Sequence, residues 1–129
     1  MSDRITRNSV TSTPDGLVIT VEDYVDVDAT DKIERTVPKN SVATEVSLHP
    51  EGAVVDFIAI TATRYTDLTF EVGQGSPITL TKALVLMGNG LVKLLGAETA
   101  VMTFTNANAL TDNAITILVG RAAVVEGGS

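Results

Sequence analysis

Five acidic residues crowd one short stretch of this 129-residue chain: Asp23, Asp26, Asp28, Asp31 and Glu34. Hard cations such as Ca²⁺ take carboxylate oxygens at close spacing, and Asp26-x-Asp28-x-Thr30 begins as a calcium loop does. The pattern then departs. The sixth position is Asp31, where glycine must make the turn, and the twelfth is Val37, where a bidentate glutamate must close the shell. With Lys32 and Arg35 interleaved, the cluster reads as a solvated acidic connection, and no metal is expected. His49 is the single histidine, and unperturbed imidazole titrates near neutrality. It can be grouped with Ser47 and an aspartate, but no G-x-S-x-G elbow accompanies it and it lies in a Pro-Gly turn, which points to the surface. Asp56, in an apolar stretch, is the carboxylate best placed for a shifted pKa, as a glycoside-cleaving pair requires. Bonding to backbone or to Arg64 is the plainer reading. Sugar clefts want aromatic platforms, and the chain has no tryptophan, two tyrosines and three phenylalanines. Gly73-x-Gly75 and Gly88-x-Gly90 lack the third glycine or the Lys-Ser/Thr that a phosphate loop needs. No catalytic residue and no cofactor is expected; the chain does not read as an enzyme.

Composition agrees with that. There is no cysteine, which excludes disulfides, thiolate metal sites and thiol nucleophiles. The net charge of −7 argues against phosphate-backbone binding, so no nucleic-acid partner is expected. The longest unbroken apolar run, Ala83 to Met87, is too short for a membrane span, so no membrane partner is expected either. Val, Thr and Ile make up one third of the residues, and these β-branched types suit a pleated surface. The size fits one domain.

The elements follow from alternation and turns. Residues 1–16 lack a sustained apolar pattern and end in Thr13-Pro14-Asp15-Gly16, a turn in which Pro presets φ and Gly accepts positive φ. They read as an extended N-terminal arm, slightly basic and mobile until docked. Leu17, Ile19, Val21, Val25 and Val27 alternate with polar residues in a half-buried strand, with a bulge or bend at Asp23. Residues 28–41 read as a polar connection containing Pro38. Val42, Thr44, Val46 and Leu48 share one strand face. Residues 53–62 are apolar on both faces except Asp56, the mark of a central strand. Leu68, Phe70 and Val72 form another strand, and residues 78–87 resume extended structure with a break near Lys82. Gly88-Asn89-Gly90 is read as a type I′ hairpin turn with residues 91–95 returning, although a short helix over Leu91, Leu94, Leu95 and Met102 is the competing reading, weakened by Gly96. Met102, Phe104 and Asn106 alternate next, and Ile115, Ile117 and Val119 close the sheet. Seven to nine short strands make an all-β fold: a jelly-roll-like β-sandwich over residues 17–121, followed by a tail over residues 122–129.

Charge is uneven. Between residues 72 and 111 only Lys82, Lys93 and Glu98 are charged. A neutral aliphatic surface of that extent looks like a subunit interface, for which Val85, Met87, Leu91, Val101 and Met102 are the candidates.

Residues 78–86 (ITLTKALVL), Gly88-Asn89-Gly90, Phe104-Thr105-Asn106 and residues 115–120 (ITILVG) have a familiar texture. Over residues 53–121 the chain resembles the capsid cement, or head decoration, proteins of tailed bacteriophages. The resemblance implies a β-rich homo-oligomer, often a trimer, on the outer surface of a capsid shell assembled in the host cytoplasm. It implies the major capsid protein as partner, gripped by a terminal arm on which Arg4, Ile5 and Arg7 are the contact candidates. A phage tail or fibre module that recognises a cell-surface glycan is the alternative. With the acidic stretch read as a solvated segment, millimolar Ca²⁺ should raise the melting temperature by less than about 5 °C; a larger rise in a thermal scan would reveal a cation site.

Overall fold

A computed structural model describes residues 3–48, 54–72, 77–95 and 101–122. Ten strands are described in chain order: β1 (Asp3–Ser12), β2 (Val18–Val27), β3 (Ala29–Val37), β4 (Ser41–Ser47), β5 (Val55–Ala62), β6 (Leu68–Val72), β7 (Ile78–Thr79), β8 (Leu84–Met87), β9 (Val101–Asn106) and β10 (Asn113–Arg121). Between β8 and β9 lies α1 (Asn89–Val92), followed by a 3-10 turn over Lys93–Leu95. The strands form two four-stranded antiparallel sheets, in the orders β3-β10-β5-β8 and β4-β9-β6-β7, and a separate two-stranded ribbon, β1-β2. The two larger sheets pack against each other, so the fold is an all-β sandwich.

Period-two alternation builds the core. Val37, Ile58, Ile60, Ile115, Ile117 and Val119 from the first sheet meet Val46, Leu68, Phe70, Val72, Met102 and Phe104 from the second, all buried. Fully burying side chains of this size contributes about 1.5–3 kcal/mol each before conformational entropy is charged. Phe70 and Phe104 are cross-strand partners, and their rings lie 5.8 Å apart in a tilted pair.

Four sequence expectations need correction. Residues 29–37, read as polar connection, are β3. Its inward side chains are Ala29, Asp31, Ile33 and Val37, whereas Lys32, Glu34 and Arg35 are exposed; an edge strand tolerates charges that an interior strand would not. Pro38 terminates it. Residues 3–12, read as an unpaired mobile arm, pair with residues 18–27 through ten consecutive partners. The Thr13–Gly16 turn is therefore the tip of a ribbon, with Thr13 N–H donating to Leu17 O (2.9 Å), Gly16 N–H donating to Thr13 O (3.1 Å), and Gly16 at φ +93°. That register runs through Asp23 without a shift, so no bulge exists there. The bulge falls instead on β5. Phe57 faces Gly120 and Val55 faces Arg121, which leaves Asp56 as the extra residue, its carbonyl accepting from Gly88 N–H. Finally, Gly88-Asn89-Gly90 opens α1 in place of a hairpin. Asn89 Nδ2 donates to Val55 O at 3.0 Å, and the Leu91 and Val92 N–H groups donate back to Gly88 O. The break near Lys82 and the central position of β5 are as the sequence suggests. The turns at residues 49–53 and 73–76, His49 among them, and the tail beyond residue 122 lie outside the described residues.

One end of the sandwich is held by a buried asparagine. Asn106 Nδ2 donates to Val37 O and Thr111 O, and its Oδ1 accepts from Asn108 N–H, so one side chain joins β9, β3 and the loop before β10. Asn113, also buried, does the same for the Thr63–Arg64 turn. Replacing Asn106 with Ala strands two carbonyls without donors. The expected loss is about 2–4 kcal/mol in urea unfolding, against about 0.5 kcal/mol or less for an exposed site such as Thr30→Ala.

Candidate interaction surface

The acidic cluster is not gathered into a site. Its members lie along β2 and β3 and on the link between them, and four have cationic partners: Asp23 with Arg7 (3.9 Å), Asp26 with Arg4 (3.0 Å), Asp31 with Arg121 (3.1 Å) and Glu34 with Lys32 (3.2 Å). Among the described residues no group of three His, Cys, Asp or Glu side chains converges as a metal site requires. Asp56 stands in the β5 bulge, and Arg64 donates to Thr111 Oγ1 rather than to it. A shallow depression of about 260 Å³ lies over Glu34, Arg35, Thr36, Ala114, Ile115 and Thr116. It is smaller than the clefts that enclose organic ligands. No helix among the described residues is long and apolar enough to cross a membrane.

What the chain does offer is surface. The outer face of the second sheet is lined by Thr69, Thr79, Thr103 and Thr105, with Glu45 and Glu71 on either side of Thr103. The first sheet is different. Along its outer face Phe57 and Met87 are buried, although neither belongs to the core between the sheets. There the base of the ribbon is seated. Only Asp28 separates β2 from β3, and its N–H donates to Arg121 O at 2.9 Å. Val27 is buried, and Ile5 and Val25 are half-buried beside it as cross-strand partners. Gly120 makes the seat. A Cβ there would lie 2.6 Å from Ile5 Cδ1, closer than real contacts allow, and tight against Val27 Cγ1 at 3.1 Å and Phe57 Cβ at 3.2 Å.

Beyond this seat the ribbon stands free. Every residue from 8 to 20 is exposed, and Val10, Leu17, Val18 and Ile19 are each 60–70% accessible. Antiparallel strands rise roughly 3.4 Å per residue, so this exposed part reaches roughly 20 Å from the body. It carries a single charge, Asp15, at the turn. A second aliphatic patch lies around α1: Val85, Leu91 and Leu94 are exposed, Leu94 at 74%, with Lys93 exposed between the two leucines.

The candidates from the sequence divide accordingly. Met87 at 5% and Met102 at 0% exposure are spent inside the chain, and they are corrected from interface candidates to packing residues. Val101 is half-buried beside Ser47, while Val85 and Leu91 remain on the surface. Ile5 anchors the ribbon to its own body. Arg7 is mostly covered, with Nε shielded and without a hydrogen-bond partner. Arg4 is exposed, lies 4.1 Å over the Tyr24 ring, and has its pKa raised by the hydrogen bond and then the charge of Asp26. Val10, Leu17, Val18, Ile19 and Leu94 were not among the candidates. The signal that would have found the first four is the Thr13–Gly16 turn itself, which with β-prone residues on both sides marks a hairpin.

Gly120→Val should overfill the seat of the ribbon. The expected cost is about 1–3 kcal/mol in urea unfolding, with Ile5 and Val25 amides losing hydrogen-exchange protection before those of β10; equal protection in both would show that the ribbon is held elsewhere. No family model, curated protein or solved structure matches the chain.

Proposed function

We propose that this chain is a structural protein that acts by contact and not by catalysis, and that its setting is the shell of a tailed bacteriophage, where it serves as a capsid cement protein. The observation that carries the reading is the ribbon: thirteen consecutive exposed residues, neutral except for Asp15, extended from a sandwich whose own core is closed. Large apolar side chains presented at such a reach are suited to a protein partner. The strand orders β3-β10-β5-β8 and β4-β9-β6-β7 support reading the sandwich as a jelly roll, since the chain alternates between the sheets except at β6-β7.

On a shell, the two aliphatic surfaces would be the contact faces: the patch at Val85, Leu91 and Leu94, and the ribbon. The major capsid protein is the proposed partner of at least one of them. The chain carries a net charge of −7, and its acidic faces would meet solvent on the outside, away from packaged DNA. Each such contact favours the assembled shell by mass action, and even about 1–2 kcal/mol per site accumulates over many copies.

The test is co-sedimentation with mature and precursor phage heads, comparing the full chain with the double variant Leu91→Asp, Leu94→Asp. The full chain should pellet with heads and the variant should remain at least about tenfold more in the supernatant. Failure of the full chain to pellet with either head form would overturn the cement reading.

A further inference from the structure

A strand at the margin of a sheet exposes unpaired N–H and C=O groups, and proteins blunt such margins unless they are used. The body of this chain blunts all four described ones. The outer strand β3 carries Asp31, Lys32, Glu34 and Arg35, β4 has a register shift between Ser41 and Thr44, β7 has two residues, and β8 has four before α1 begins. In the ribbon, the free edge of β2 is uncharged only from Val18 to Val21 and then carries Glu22, Asp23 and Asp26, which share one sign. The free edge of β1 is different. From Asn8 to Ser12 it has no charge, no proline and no break in register.

The hydrogen bond from Thr13 N–H to Leu17 O fixes which groups are free. Antiparallel pairs alternate, so Thr11, Ser9 and Arg7 bond inward to β2, while Ser12, Val10 and Asn8 direct N–H and C=O outward. A two-stranded ribbon is marginal alone, and a third strand is what would stabilise it. Since every described body edge is blunted, the longest neutral edge that a second copy offers among the described residues is β1 itself.

We propose that β1 pairs antiparallel with β1 of a second copy about a two-fold axis at Val10, joining two ribbons into one four-stranded sheet. In this register Val10 faces its own counterpart, Asn8 faces the counterpart of Ser12, and all outward groups of the neutral run are satisfied. The neutral run from Asn8 to Ser12 is centred on Val10, and charge excludes axes nearer the body. A two-fold at Arg7 or Arg4 would set like charges opposite each other, whereas at Val10 each Arg7 lies opposite the counterpart of Thr13. The contact is isologous and closes at two copies. It stands independently of the virion reading, and it leaves the α1 patch for other partners.

The chain has no cysteine, so Val10→Cys introduces a unique thiol. Hydrogen-bonded antiparallel pairs hold Cα atoms about 5.5 Å apart, within disulfide range. Under mild oxidation V10C should form a linked dimer at least about tenfold faster than Leu94→Cys, which is equally exposed, or Thr11→Cys, which points to the opposite face. In sedimentation the unmodified chain should approach twice its 13.5 kDa mass as concentration rises. Val10→Pro removes an outward N–H and none of the ribbon's own ladder, so it should sediment as one chain with the melting temperature of the sandwich retained. Should V10P fail to fold, the cross-linking rates decide. A single-chain mass throughout the concentration series, an oligomer that V10P leaves intact, or V10C linking no faster than L94C would each overturn the proposal.

Discussion

Both the core and the ribbon depend on the two faces of β10. On its inner face Ile115, Ile117 and Val119 are buried without remainder, and backbone bonds tie its edges to β3 and β5. On the outer face the same alternation reaches Gly120, and there the absence of a side chain admits Ile5 and Val27. A strand paired on both edges cannot shift its register by one residue without exchanging these faces. The core therefore fixes the place at which the ribbon can be seated.

The strands with one clear buried face were legible in the sequence. Leu68, Phe70 and Val72, then Met102, Phe104 and Asn106, then Ile115, Ile117 and Val119, alternate as written and are buried as written. The failures share a cause. In β3 the outward positions are charged because the strand is an edge, and a local window cannot distinguish that from a loop. In β1 both faces meet solvent along most of its length, so no alternation exists to be read. Asn89-Gly90 has strong turn chemistry, yet tertiary bonds to Val55 and Asp56 hold the segment as a helix start. Of the interface candidates, Val85 and Leu91 do lie on the surface. Met87 and Met102 were not separable from them, because neutrality alone does not tell an interface from a core.

Charge divides the ribbon along its length. Near the body Arg4 and Arg7 face Asp26 and Asp23, and toward the turn the strand is neutral. Exposed ion pairs of this kind contribute little to stability. Their larger effect is selective: a foreign strand cannot run the whole length of β1 without meeting guanidinium groups, so any pairing is confined to the distal half. A short neutral run on a guarded base limits both the extent and the direction of association.

The single-residue link at Asp28 has a mechanical meaning. Traction applied at the Thr13–Gly16 turn passes down β2 and through one residue into β3, which is tied to β10 by nine partners in register. Such a load runs along the strands and strains many hydrogen bonds together, whereas a load across them would open the ladder one pair at a time. The ribbon is thus continuous with the sheet best placed to resist it, and it behaves less as an appendage than as a tether spliced into its anchor.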